Sequence, residues 1–188
     1  MGMASSRRYG MQEITMVTTS NASDWSVSSV ESQSPVKWYA LGNVYTQPIM
    51  SAFNTPIIDF SSNTGSETVI VKSSKGLTRF HCIRSEVTVL DVTKNVILTH
   101  LSCNNNLLTT IDVSKSVNLV YLYISFNQLT GSVDVSKSVD LITFDSAANS
   151  LTTIYVNQNQ LDILNEVIPN PTDWWWRKDT HTTYVLKQ

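Results

Sequence analysis

His81 and Cys82 are chain neighbours, and an imidazole beside a thiol is what a cysteine nucleophile requires. Their surroundings, "LTRFHCIRS", speak against that chemistry. Apolar and polar residues alternate there as on a strand, where consecutive side chains point to opposite faces. If Cys82 is in the core, His81 faces out and the two do not meet. A second arrangement to weigh is a metal site built from His81, His100 and Asp145. The repeat described below puts the two histidines in different rows and Asp145 three copies away from His81. That is too far for ligands that must all sit at about 2 Å from one ion. No phosphate loop, paired acid or triad spacing occurs. The chain is therefore expected not to be an enzyme, with no catalytic residues, no metal and no cofactor.

The elements that carry these residues are repetitive. The segment "DVSKSV" occurs at 112–117 and again at 134–139, with "DVTKNV" at 91–96. Aligned on leucines, the copies start at Leu77, Leu98, Leu119 and Leu141, separated by 21, 21 and 22 residues, and Gly131 is the one-residue insertion. A period of this length lies in the range of leucine-rich repeats. Leu98, Leu101, Cys103, Asn106 and Leu108 fill L-x-x-L-x-C-x-x-N-x-L, and Leu119, Leu122, Ile124, Asn127 and Leu129 repeat it. Leu141, Phe144, Ser146, Asn149 and Leu151 repeat it again, whereas in the copy from Leu77 Ser85 replaces the asparagine. The columns predict a short strand per copy, with Leu101, Leu122 and Phe144 in file. The asparagines are expected to turn inward onto backbone groups without ladder partners, and the Asp-containing segments to form Asx turns.

Two outward rows follow from that register: Arg79, His100, Tyr121, Thr143, and His81, Ser102, Tyr123, Asp145. Arg79, His81, His100, Tyr121, Tyr123 and Asp145 form the candidate binding face, since Arg and Tyr often anchor protein contacts. The alternative is an unremarkable solvated surface. Trp174, Trp175 and Trp176 read either as a terminal cap over the last copy or as an exposed aromatic platform for a sugar or a neighbouring subunit. Cys82 and Cys103 read as buried small hydrophobes, with a disulfide between adjacent copies as the alternative.

Composition bounds the rest. A chain of 188 residues suits one domain or one domain with an appendage; 41% hydrophobic residues suffice for a core, and only 15% are charged. Ser, Thr and Asn interleaved with Val, Ile and Leu favour strands and turns. A net charge of −2 without a basic run disfavours nucleic-acid binding. No apolar stretch is long enough for a membrane span, and Arg7 and Arg8 are not followed by the apolar region of a signal peptide.

The quoted copies resemble the cysteine-bearing leucine-rich repeats of bacterial surface proteins, the internalin-J-like type. A turn of that type reads roughly LTxLxCxxNxLTxLDVSxN, against "LTHLSCNNNLLTTIDVSKS" and "LYISFNQLTGSVDVSKS" here. The resemblance covers residues 77 to about 164. It implies a right-handed solenoid used for adhesion or recognition, at a cell surface.

The expected fold is thus mainly β, a short right-handed leucine-rich-repeat solenoid of about four to five turns with a β-rich N-terminal cap and a Trp-rich C-terminal cap. Residues 1–12 form a flexible or partner-ordered arm, 13–54 a β-rich module, 55–164 the solenoid and 165–188 the end cap. The expected function is non-enzymatic binding of a protein or glycan through the concave strand face. The alternative is a structural component of an assembly such as a phage virion, contacting neighbouring subunits, which leaves virion and cytoplasmic locations open.

Overall fold

A computed structural model describes residues 11–49 and 52–188. Of the expected arm, residues 1–10 lie outside the described residues, and Gln12 already opens the first strand.

In β1 (Gln12–Thr18), buried Gln12, Ile14, Met16 and Thr18 alternate with half-buried residues, the period-two burial of a strand with one face in the core. β2 (Ser29–Ser32) follows a segment in which Trp25 and Val27 are buried. β3 (Val36–Ala40) and β4 (Asn43–Gln47) form a hairpin. Its two turn residues, Leu41 and Gly42, have φ of 51° and 74°, the handedness that matches the twist of the flanking strands. β5 (Glu67–Ser73) then pairs antiparallel with both β3 and β1, so a chain-distant strand fills the centre of the sheet.

β6 (Leu77–His81), β7 (Val87–Asp91), β8 (His100–Ser102), β9 (Tyr121–Tyr123), β10 (Thr130–Asp134), β11 (Thr143–Asp145) and β12 (Ser150–Val156) come from the repetitive region. A capping box closes α1 (Gln158–Leu164) at its start: the Asn157 side chain accepts from Gln160 N, and the Gln160 side chain accepts from Asn157 N. β13 (Trp175–Arg177) and β14 (Thr183–Leu186) end the chain.

The strands form a five-stranded antiparallel sheet, β4-β3-β5-β1-β7, a six-stranded sheet, β13-β11-β9-β8-β6-β2, and a three-stranded parallel sheet, β10-β12-β14. This corrects the expected solenoid: one sheet is antiparallel, one mixed and one parallel, layered in a sandwich-like manner, and no closed coil of parallel leucine-rich repeats runs through the described residues. β5, within the stretch 55–164 expected to form the solenoid, runs antiparallel to β1. β7 likewise takes β1 as its antiparallel partner. The physical reason is the N-terminal strands. β1 offers a core-facing stripe of Ile14 and Met16, and inserting it between β5 and β7 supplies both with ladder bonds and buries Val69, Val71, Val87 and Leu90 in one core. Antiparallel β2 closes the six-stranded sheet beside β6, with Val30 opposite Phe80.

Within the six-stranded sheet, β6, β8, β9, β11 and β13 run parallel, and Phe80, Leu101, Leu122, Phe144 and Trp176 are successive register partners. Register is held by side chains at the strand ends. Asn106 Oδ1 accepts from Ser85 N and Val87 N, both at 3.0 Å, while its Nδ2 donates to Cys82 O at 2.6 Å and Cys103 O at 3.0 Å. Asn127 repeats the device, accepting from Leu108 N and donating to Cys103 O and Ile124 O. Asn149 does so with Leu129 N, Ile124 O and Ser146 O. Just before each asparagine, or before Ser85, the backbone turns through a positive φ, at Arg84, Asn105, Phe126 and Ala148. Asp91, Asp112 and Asp134 accept from the amide two residues ahead, closing an Asx turn in each of the first three copies. Gly131, at φ 69°, sits where the β10–β12 register shifts.

Asn127→Ala leaves those backbone groups without their partner and should lower the unfolding free energy by about 1–3 kcal/mol. Chemical denaturation measures it; an unchanged midpoint would remove the asparagine from the account of register.

Candidate functional site

The outward side chains of the six-stranded sheet lie in two files. Arg79, His100, Tyr121 and Thr143 are register partners in one, and His81, Ser102, Tyr123 and Asp145 in the other. Each residue named from the sequence on this face is therefore brought to one surface. β13 adds Trp175 to the first file and Arg177 to the second, and β2 adds Glu31 beside Arg79.

The charges on this face are paired internally. Arg177 Nε and Nη2 donate to the two carboxylate oxygens of Asp145 at 2.9 and 2.6 Å, a bidentate fork. Asp145 is only 5% exposed, and the contact holds the Arg177 guanidinium above its ordinary pKa. Arg79 Nε lies 3.2 Å from Glu31 Oε1. His100 stacks on Tyr121, with ring centroids 4.6 Å apart and planes 24° from parallel. Thr99 Oγ1 donates to Thr78 O at 2.8 Å, so at 2.9 Å from His100 Nδ1 it can only accept. The His100 proton is thereby assigned to Nδ1, leaving Nε2 as the acceptor. Burial, then the Arg79 charge, hold His100 below its ordinary pKa. For His81 the same causes, with His100 adding to them and Glu31 opposing, push it down to about 4.

His81 and Cys82 face opposite sides of β6: Cys82 is fully buried while His81 is half-buried on the outward face. Burial pushes the Cys82 thiol up to about 12 and Cys103 well above its ordinary value, the reverse of what a nucleophile needs. Both thiols are free. Among the described residues no three His, Cys, Asp or Glu side chains converge as a metal would require.

The tryptophan run divides by parity. Trp176 packs edge-on against Phe144 at 5.2 Å and stacks with Trp174 at 4.7 Å, covering the end of the apolar file. Trp175 points the other way, 44% exposed, with the Arg177 guanidinium 5.5 Å from its ring centre. Sequence reasoning missed Trp175 and Arg177 as the next outward pair. "WWR" does repeat the outward–inward–outward order of "TFD", but it lies far outside the repeat period and has no leucine before it. Glu31 had no sequence signal, since β2 joins from a distant part of the chain.

No known family, curated protein or solved structure matches the chain. The mixed sheets are not the repeat coil on which the expected adhesion and virion roles rested. Among the described residues no helix is long and apolar enough to cross a membrane.

The histidines make stability depend on pH. An imidazole held at about 4 instead of 6.5 takes up its proton more readily in the unfolded chain. The contribution of His81 is therefore full above about pH 6.5 and is lost as pH falls towards 4. Glu13, pulled to about 2 by Lys94 and Lys72, acts only below its ordinary 4.5. Urea denaturation at about pH 7 and about pH 5 should show lower stability at the acid end, and His81→Gln should shrink the difference. An equal difference in the variant would assign the slope elsewhere.

Proposed function

We propose that this chain is a non-enzymatic binding module that presents the outward face of the six-stranded sheet to a protein or glycan ligand. The observation that carries this reading is the two-file surface: Arg79, His81, His100, Tyr121, Tyr123 and Asp145, joined by Trp175 and Arg177, on strands locked in register. Aromatic and arginine side chains contribute most to contact surfaces when their conformations are already set. Here the Asp145–Arg177 fork and the His100–Tyr121 stack set them before any ligand arrives. The raised thiols and the separation of His81 from Cys82 support a role in binding over one in catalysis.

Immobilised glycan and peptide libraries test the proposal. A ligand retained by the wild-type chain should lose affinity by at least about tenfold against a Tyr121→Ala/Tyr123→Ala double variant whose thermal unfolding remains cooperative. Undiminished retention by the variant, or a wild-type chain that retains nothing from either library, would overturn it.

A further inference from the structure

We infer that the outer face of the five-stranded sheet holds a site for a small amphipathic anion, a charged headgroup carrying an apolar ring or short chain. The site is separate from the six-stranded sheet and does not depend on it. Register places its parts. Lys37 on β3 lies between Thr46 on β4 and Lys72 on β5, and Glu13 on β1 follows Lys72. The next row is Val44, Tyr39, Ile70 and Thr15. Trp38 and Val71, which alternate with these residues, are fully buried, so both rows share the outer face.

Two open cavities adjoin across Tyr39. One, of about 240 Å³, is lined by Met11, Pro35, Lys37, Tyr39, Lys72 and Ser74. The other, of about 260 Å³, is lined by Tyr39, Ile70, Thr68 and the hairpin from Ala40 to Val44.

Their chemistries differ. At the first, three ammonium groups stand around one carboxylate. Lys72 Nζ and Lys94 Nζ lie 3.0 and 2.8 Å from the two Glu13 oxygens, and Lys37 is exposed without a carboxylate partner among the described residues. Asp91, the nearest further carboxylate in register, turns its Oδ1 to Thr93. Positive charge therefore collects here on a chain whose net charge is −2. The second cavity has no charged side chain in its lining, and its Val44 and Leu41 are 57% and 37% exposed.

This pairing selects the ligand class. Two residues of strand advance about 7 Å, so a headgroup at Lys37 and a group beyond Tyr39 are about 7–10 Å apart. An apolar tail there takes Val44 and Leu41 out of water, which an inorganic ion cannot do. A neutral ligand leaves the Lys37 charge unanswered. Ammonium groups lack the fork of a guanidinium and so select negative charge over headgroup shape.

The test titrates the full chain with 4-phenylbutyrate, which has that length, and with its neutral amide and acetate, following amide chemical shifts. 4-Phenylbutyrate should shift the amides of Lys37–Tyr39, Leu41–Val44 and Lys72–Ser74. The neutral amide and acetate should each bind at least about fivefold more weakly. Lys37→Gln should weaken 4-phenylbutyrate by about fivefold and reduce its preference over the amide, whereas Val44→Thr should weaken it a few-fold and keep the preference. No response in those strands, equal binding of acid and amide, or unchanged binding by a Lys37→Gln variant with an otherwise wild-type spectrum overturns the site. Shifts confined to Tyr121–Tyr123 and Trp175–Arg177 also overturn it, and leave the face of the six-stranded sheet standing.

Discussion

Each strand of the parallel ladder ends where backbone amides and carbonyls would be buried without a ladder partner, and the asparagine amides meet that constraint. Asn106, Asn127 and Asn149 each join backbone groups of two successive copies, so a copy displaced by one residue would lose several bonds at once. A one-residue slip would also send every core side chain of the strand to the opposite face. Outward files of defined composition exist because of this coupling. Side chains on the face are aligned by bonds made at its rim.

The ends of the ladder use other means. At one end β2 pairs antiparallel with β6 and the N-terminal strands build a second sheet over the same core, with Trp38, Phe60 and Phe80 fully enclosed. At the other, Trp176 extends the apolar file beyond Phe144, and Asp179 accepts from Ala148 N and Asn149 N. An acidic side chain there takes amides that no further copy is present to receive. The same pairing of β13 with β11 that covers the core also sets Trp175 and Arg177 on the outward surface. Closing the core and extending the outward face are therefore one structural event.

That shared origin explains the electrostatic character of the face. A carboxylate as enclosed as Asp145 is tolerable because Arg177 satisfies both its oxygens. Desolvation and then the Arg79 charge hold the half-buried histidines below their ordinary pKa, disfavouring a second cation there. What remains is a surface of aromatic rings and fixed dipoles with little net field, suited to shape and hydrogen bonding more than to long-range attraction.

The chain itself carries the local information. Its period places Leu101, Leu122 and Phe144 in one file, turns the asparagines inward, and sorts Arg79, His100 and Tyr121 from His81, Ser102 and Tyr123, because strand alternation and repeat spacing are read from neighbours alone. The architecture was not legible in this way. Whether Ile14 and Met16 cap a coil or pass between β5 and β7 depends on which distant edge they cover, and their alternation is the same in either case. Arg177 as the partner of Asp145, Trp175 beside Thr143 and Glu31 beside Arg79 were likewise decided by the tertiary structure. Residues far apart in sequence carry no mark of their pairing until the strands that bear them compete for the same ladder bonds and the same core.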